Sequence, residues 1–420
     1  MTAPPSTEAL AAPLADPDFF AAGPPYELFR RLRDEEPLAW TPEPAPNSGF
    51  WSLTRHADIV RVSRDVATFS SARGVAVEEL DDEQLTHRSS MIDTDPPRHT
   101  QLRSVLAKEF SPRMISRYEA FLRGIVGHTL DVAFAKGRFE FVEEVSSQIP
   151  VRVLCRMLSV PDTDHALLTA WGDRIVGHTD PEFADVLLHS EESAAYRLVP
   201  FRSPAVLEVF EYGQELQAQR RASPTDDLVS KLVEAEIDGA PLTQAELDNY
   251  FLLLALAGQE TTRQAISHAM LTLIGHPDAL ATLAERPELL LAGGLEELLR
   301  WGPPVYHMRR TATRDVDLHD TRIAAGDKIV MWYPAANRDE RAIADPDILD
   351  VTRTAVDLLT FGKGGPHFCM GSHLARLEVR VTVEELVARL ASASLTGEVE
   401  RLRSTFVHGI KRLPVEVRTR

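Results

Sequence analysis

Phe361-Gly362-Lys363-Gly364-Gly365-Pro366-His367-Phe368-Cys369-Met370-Gly371 is the stretch on which the reading of this chain turns. Its glycines and Pro366 are incompatible with the interior of a helix or strand, so the stretch is a turn that presents one thiol. Ser372 to Arg380 follows with helical spacing and places Cys369 just ahead of a helix start. Unpaired N–H groups and the positive end of the helix dipole favour thiolate there, the form that binds metals. Glycine also lets backbone approach a flat ligand closely and take positive φ where needed. Read alone, a lone cysteine in such a turn is more often structural.

The composition narrows the classes. Of the side chains, 44% are hydrophobic and 26% charged, enough apolar material for a core that encloses a ligand. The 45 basic and 63 acidic residues give a formal charge of −18, which repels a nucleic-acid backbone. Two cysteines, Cys155 and Cys369, build no disulfide framework and fit a reducing cytosol. Met1 to Phe29 carries no Lys or Arg and many prolines, unlike a secretory signal. The apolar run Phe251 to Ala257 is far short of the roughly 20 residues of a membrane span. A cytoplasmic, unanchored protein is expected, with an irregular lead-in over residues 1–24 and one domain over 25–420.

Working outward, apolar residues at three- and four-residue spacing predict helices over Tyr26 to Glu35, Thr100 to Phe110, Ile115 to Ala135, Asp226 to Glu236 and Leu374 to Leu390. Extended runs are expected at Gly49 to Thr54 and from Arg310 to Tyr333, with a turn at Ala325 to Lys328, and a last hairpin over Thr405 to Val417. The spacing of Thr243 and Glu246 is that of a capping box, and the pattern predicts a single helix from there to Gly275. A mean helix has about 11 to 12 residues, so this one should cross the middle of the molecule. The fold class is mainly α with small β-sheets. The irregular segments 72–90 and 178–204 read as mobile loops over a rigid body.

Inside the long helix, Ala257-Gly258-Gln259-Glu260-Thr261-Thr262 interrupts an apolar run with a glycine and hydroxyls, which is locally unfavourable and suits a place where a ligand needs room. Glu297-Leu298-Leu299-Arg300 sets an acid and a base at i,i+3, and Arg353 follows before the cysteine turn. Asp95-Pro96-Pro97 opens a helix whose His99 and Arg103 share a face, two cationic donors suited to a carboxylate.

These motifs, in this order, resemble those of the cytochromes P-450, from Pro24 onward and most strongly between Thr243 and Arg380. The cysteine turn is one residue longer than the family's commonest form. That longer form, like the ending Thr405 to Pro414, is similar to actinobacterial members acting on sterols, branched lipids or terpenoids. The resemblance implies a haem-thiolate monooxygenase fold, with haem b buried between the long helix and the cysteine-turn helix. It makes Cys369 the iron ligand; places Phe361, Gly371, Ala257 and Gly258 against the haem; and gives its propionates His99, Arg103, Arg310 and His367. Glu297, Arg300 and Arg353 become a buried salt-bridge network. Glu260 and Thr261 become the proton-delivering pair, acid relay and hydroxyl. Substrate-lining positions fall at Leu254, Val305, Tyr306, His307, Met308, Phe406 and Val407. Tyr306 and His307 either bond an oxygenated substrate or point into the core.

Hydroxylation or epoxidation of a small hydrophobic terpenoid, steroid, lipid or secondary metabolite by dioxygen is therefore expected of a monomer. Electrons would come from NAD(P)H through a reductase and a separate ferredoxin. A basic patch of Arg98, Arg103, Lys108, Arg113, Arg376 and Arg380 could attract that acidic partner. The competing readings are a non-catalytic haem-thiolate sensor or carrier, which needs the thiolate but not Glu260 and Thr261, and an atypical oxidation such as C–C coupling on the same scaffold.

Overall fold

The computed structural model describes residues 10–45 and 47–420. Residues 1–9 of the expected lead-in lie outside the described residues. Its remainder winds into two 3₁₀ turns, Ala12–Ala15 and Pro17–Ala22, and buries Leu14 and Phe20 completely.

A helical body packs against one main sheet. The sheet runs in the order Leu38–Thr41, Phe50–Leu53, Lys328–Trp332, His307–Ala312, Phe69–Ser70, with the second and third strands parallel and the other pairs antiparallel. Gly326, at φ 93, makes the turn that feeds Lys328–Trp332. Trp332 stacks on Phe20 at 5.5 Å and leans on Phe29 and Phe50, so the N-terminal segment is anchored to the sheet by aromatic burial.

Two sequence expectations are corrected. The hairpin over Thr405 to Val417 does not form. Ile410–Arg412 pairs with Glu400–Arg401, while Pro414–Thr419 pairs with Leu390–Leu395 and Arg138–Glu140. Only Leu413 separates the two segments, too little chain to turn one back on the other. The single helix from Thr243 is also two, Gln244–Ala257 and Glu260–Gly275. Thr243 and Glu246 do form the capping box that starts the first. Gly258 and Gln259 keep right-handed dihedrals, so the axis carries through while the hydrogen-bond ladder lapses.

The cysteine turn is held from behind by a buried ion pair. Arg300 binds both carboxylate oxygens of Glu297 at 2.7 Å, and both side chains are fully buried. Glu297 also accepts the Asp350 N–H at 3.0 Å and Arg353 Nε at 3.3 Å. Arg300 Nη1 donates to the carbonyls of Asn337 and Pro346, each at 2.8 Å. Asn337 Oδ1 then accepts the Leu359 N–H at 2.7 Å, and Thr360 Oγ1 donates to the Leu299 carbonyl at 2.9 Å, two residues before the turn begins. Gly293, at φ 153, lets the chain pass here, because a Cβ would sit 1.9 Å from the Arg353 carbonyl oxygen.

Breaking one side of a fully buried pair leaves an uncompensated charge and costs about 3–5 kcal/mol. Glu297→Leu should lower the unfolding free energy from urea titration by that order, and pairing it with Arg300→Met should recover part of the loss. A single variant as stable as the parent would show that the pair does not hold the fold.

Candidate functional site

The helix Ser372–Arg389 begins three residues after Cys369, as the spacing requires. The Cys369 N–H donates to the Phe361 carbonyl at 2.9 Å, which closes the turn. Gly362 and Gly364 adopt φ 71 and 81. Gly365, in the Gly365-Pro366 step that lengthens the turn, serves packing against protein: a Cβ there would lie 1.9 Å from the Ser63 carbonyl oxygen. A Cβ on Gly371 would touch Cys369 Sγ at 4.0 Å. Phe361 carries the Arg376 guanidinium 4.1 Å above its ring.

Desolvation pushes the Cys369 thiol above its ordinary value, against the Gly371 N–H and the guanidiniums of Arg103 and Arg376, which pull it down. Burial and the helix start thus pull the thiol in opposite directions, and a bound metal cation would favour the thiolate. The other cysteine is no rival. Cys155 is buried in the helix Gln148–Leu158, and burial pushes its thiol up to about 12.

His99 and Arg103 project from the helix Arg98–Ala107 toward His367, and the rings of His99 and His367 lie 4.2 Å apart. Arg310 joins them from the strand His307–Ala312. Burial lowers His99, Arg103 and Arg310, and His99 and His367 are lowered further by the cationic neighbours, His367 to about 3. Asp95, whose charge reaches His99 and Arg310, is engaged by Ser70 Oγ at 2.5 Å and the Ser71 N–H at 2.9 Å. Among the described residues no carboxylate is ion-paired with any of the four groups, and His99 Nδ1 and Arg310 Nε are buried without partners. Such a cluster fits a dianionic group, as the two propionates of haem would be.

The helix interruption leaves open space of its own. Leu254, Ala255 and Leu256 are buried, whereas Ala257 and Gly258 are exposed, and a Cβ on Gly258 would meet only the Leu254 carbonyl, at 3.6 Å. Thr261 Oγ1 donates to the Ala257 carbonyl at 2.7 Å and so occupies the acceptor that the lapsed ladder leaves. Glu260 is buried; its Oε1 accepts Arg263 at 2.7 Å and Gln264 at 2.8 Å, while Oε2 has no partner. Burial raises the Glu260 carboxyl, and Arg263 opposes it. Arg263 also binds Asp173 at 2.7 Å, and Asp173 is only half-buried. Sequence reading missed this chain. Arg263 and Gln264 were visible at i,i+3 and i,i+4 from Glu260, but Asp173 is ninety positions away.

A second carboxyl was missed as well. Glu378, on the helix Ser372–Arg389, is buried with Oε2 unpartnered beside Thr262, and burial pushes it up to about 8.

The substrate-lining expectations divide. Val305, Met308 and Phe406 stay half-buried, and Met308 shares a strand face with Arg310. Val305 bridges to Val407, which is itself buried. Tyr306 is turned away: it packs 4.7 Å from Phe20 and stacks on His408 at 4.8 Å, because the N-terminal segment offers it an aromatic slot. His307 lies on the strand face opposite Arg310, against Trp332 and Phe406, with Nδ1 bonded to the Thr405 carbonyl at 2.8 Å. Both belong to the core. On the long helix Leu253, half-buried, is more open than Leu254.

The basic patch is largely neutralised. Arg98 pairs with Glu246, Arg376 with Glu296, and Arg380 with Glu119 and Glu384, while Arg103 points inward toward Cys369. Lys108 and Arg113 remain exposed and make no ion pair among the described residues. The two irregular segments, by contrast, are tied together. Glu78 binds Arg88 at 2.7 Å and Arg202 at 2.8 Å, Arg197 binds Asp81 and Glu83, and Gln84 donates to the Arg197 carbonyl at 3.1 Å. Phe201 and Arg202 hold left-handed φ of 59 and 50 beside this knot.

The family model described as cytochrome P450 matches residues 205–410. A methyl-branched lipid omega-hydroxylase of Mycobacterium tuberculosis is 35% identical over 99% of this chain and 96% of its own length. A linalool 8-monooxygenase of Pseudomonas putida is 37% identical over 96% of this chain and 98% of its own. Among solved structures, a cytochrome P450 of Mycobacterium marinum in complex with pseudoionone superposes with a TM-score of 0.88 at 35% identity, covering 99% of this chain and 100% of that one.

Glu378 gives the site a pH signature. Between the ordinary value of 4.5 and about 8 the unfolded chain releases this proton while the folded chain keeps it. The resulting stability is fully present below pH 4.5 and declines as pH rises toward 8. Glu378→Gln should flatten that part of the pH dependence of the urea midpoint and be the more stable protein above pH 8. Parallel profiles for the two proteins would contradict the shift.

Proposed function

The chain belongs to the cytochrome P450 family and is a haem-dependent oxidoreductase that incorporates molecular oxygen, and we propose that it hydroxylates an aliphatic carbon of a small hydrophobic terpenoid, steroid or lipid. The observation that carries this reading is the pair at the helix interruption, a buried Glu260 whose carboxyl is raised by burial, next in sequence to Thr261, which bonds the Ala257 carbonyl beside the open space at Gly258. A sensor or carrier has no use for it. The names of the relatives, a lipid omega-hydroxylase and a linalool 8-monooxygenase, support an aliphatic carbon.

In this reading Cys369 is the iron's ligand, and His99, Arg103, Arg310 and His367 hold the propionates. Haem bound there supplies dioxygen activation and C–H oxidation. The chain's own part is the proton. Glu260, whose carboxyl is raised by burial, is the relay in this reading, and Arg263 positions it by bonding both its Oε1 and half-buried Asp173. Thr261 Oγ1 presents a hydroxyl where Gly258 leaves room. Electrons arrive from NAD(P)H through a separate ferredoxin and reductase. With Arg98, Arg376 and Arg380 paired internally, Lys108 and Arg113 are the cations free to meet an acidic ferredoxin. No helix of the described residues is long and apolar enough to cross a membrane, and we place the enzyme in the cytoplasm.

Two measurements test the reading. Reduced protein under carbon monoxide should show the strongly red-shifted Soret band of thiolate ligation, absent in Cys369→Ser; an unshifted band in folded, haem-loaded parent would remove Cys369 as ligand. With ferredoxin, reductase and ¹⁸O₂, linalool or a methyl-branched fatty acid should gain one labelled oxygen. Glu260→Gln and Thr261→Ala should each cut product per electron consumed by tenfold or more, within the roughly 10² to 10⁴-fold range of acid–base catalysis. Full coupling in both variants would sink the proton-delivery assignment.

A further inference from the structure

Gln264 stands at i+4 from Glu260 on the helix Glu260–Gly275 and is 1% exposed. Its amide has two partners. Oε1 accepts the Ile410 N–H at 2.7 Å, and Nε2 donates to Glu260 Oε1 at 2.8 Å. The orientation of a buried amide follows from the groups it meets. The Ile410 N–H can only donate, so the amide oxygen must face it and the NH₂ must turn to Glu260. The opposite orientation would set donor against donor at Ile410.

Glu260 Oε1 receives a second donor, Arg263 Nη2, at 2.7 Å. Two N–H donors take up the lone pairs of that oxygen and leave none to bind a proton. Oε2 has no protein partner. It lies beside Gly172 of the helix His165–Val176, where a Cβ would sit 3.5 Å from it. A neutral Glu260 therefore carries its hydrogen on Oε2, and it can gain or lose that hydrogen while the grip on Oε1 stays the same.

Ile410 gives the grip a fixed origin. It opens the strand Ile410–Arg412, and one turn further along the helix His268 Nε2 donates to the His408 carbonyl at 2.8 Å. Two side chains of one helix face, Gln264 and His268 at i and i+4, thus bond the segment His408–Ile410. The His408 N–H donates to the Pro304 carbonyl at 2.9 Å, and Val407 bridges to Val305. The carboxyl and the half-buried Val305 and Phe406 are referred to the same backbone.

We infer that Gln264 is a positioning residue for the proton relay: anchored on the Ile410 N–H, its amide occupies Glu260 Oε1 and leaves Oε2 as the oxygen through which a proton enters and leaves. This rests on the role proposed above for Glu260.

The test is a double-variant cycle on haem-loaded enzyme with linalool, ferredoxin and reductase. Gln264→Met removes both amide bonds and should cut product per electron consumed about fivefold, the worth of one net hydrogen bond, with linalool affinity and the carbon monoxide spectrum unchanged. In the Glu260→Gln background the same substitution should cost nothing further, because its effect runs through that carboxyl. An equal loss in both backgrounds overturns the inference and leaves the proton-delivery reading standing. A second measurement needs no turnover, and it decides the matter if Gln264→Met does not fold. Gln264→Glu keeps an acceptor for Ile410 and sets two carboxyls face to face, with Arg263 and Asp173 the other charges acting on Glu260. Two such carboxyls cannot both ionise freely, so the unfolding free energy of Gln264→Glu should fall relative to the parent between about pH 5 and pH 8. That fall should be smaller in the Glu260→Gln background, where one carboxyl replaces two. An equal fall in both would show that the two side chains do not interact and overturns the inference. If Glu260→Gln by itself leaves the product per electron intact, the proton-delivery reading falls and the inference with it.

Discussion

The carboxylate of Glu297 is where this structure is decided. A turn with no regular secondary structure has to hold one sulfur in a fixed place, and neither glycine nor proline supplies rigidity of position. Glu297 and Arg300 supply it indirectly, by fixing the backbone at Asn337, Pro346 and Asp350, from which Asn337 reaches Leu359 and Thr360. Because both charges are fully buried, each is costly without the other, and the arrangement has few alternatives. Gly293 is part of the same requirement, as no side chain fits between it and Arg353.

The second constraint is a conflict that the fold does not relieve. A helix through the core should be uniformly apolar and fully bonded, and the Gln244–Gly275 region violates both rules at Gly258 to Thr261. Thr261 absorbs part of the cost by bonding the Ala257 carbonyl, and Glu260 absorbs none, since one of its oxygens stays unpaired in the core. Burial that raises a carboxyl's pKa is destabilising as structure and suits proton transfer as chemistry.

Short-range order was readable from the residues themselves. The capping box at Thr243 and Glu246, the helix after Gly371, the common face of His99 and Arg103 and the i,i+3 pair at Glu297 and Arg300 each depend on neighbours a few positions apart. What stayed hidden depends on distant chain. Tyr306 could not be assigned to the core without Phe20, nor the basic arginines to internal pairs without Glu119, Glu246 and Glu296. The fate of Pro414 required knowing that Leu390–Leu395 would offer it a partner strand. The balance at the thiol is likewise not local: the helix start favours thiolate, and the desolvation that opposes it comes from the whole fold.

Glu78 receives one cation from its own segment and one from the 178–204 segment, while Arg197 reaches back to Asp81 and Glu83. Side chains more than a hundred positions apart thus share their charges, and neither segment can be rewritten independently. A substitution that is neutral in one loop's own context changes the balance in the other. Grafting one of these loops from a relative would import half of a lock, whereas exchanging both together preserves the match. Sequence change in the two segments should accordingly proceed by paired replacements.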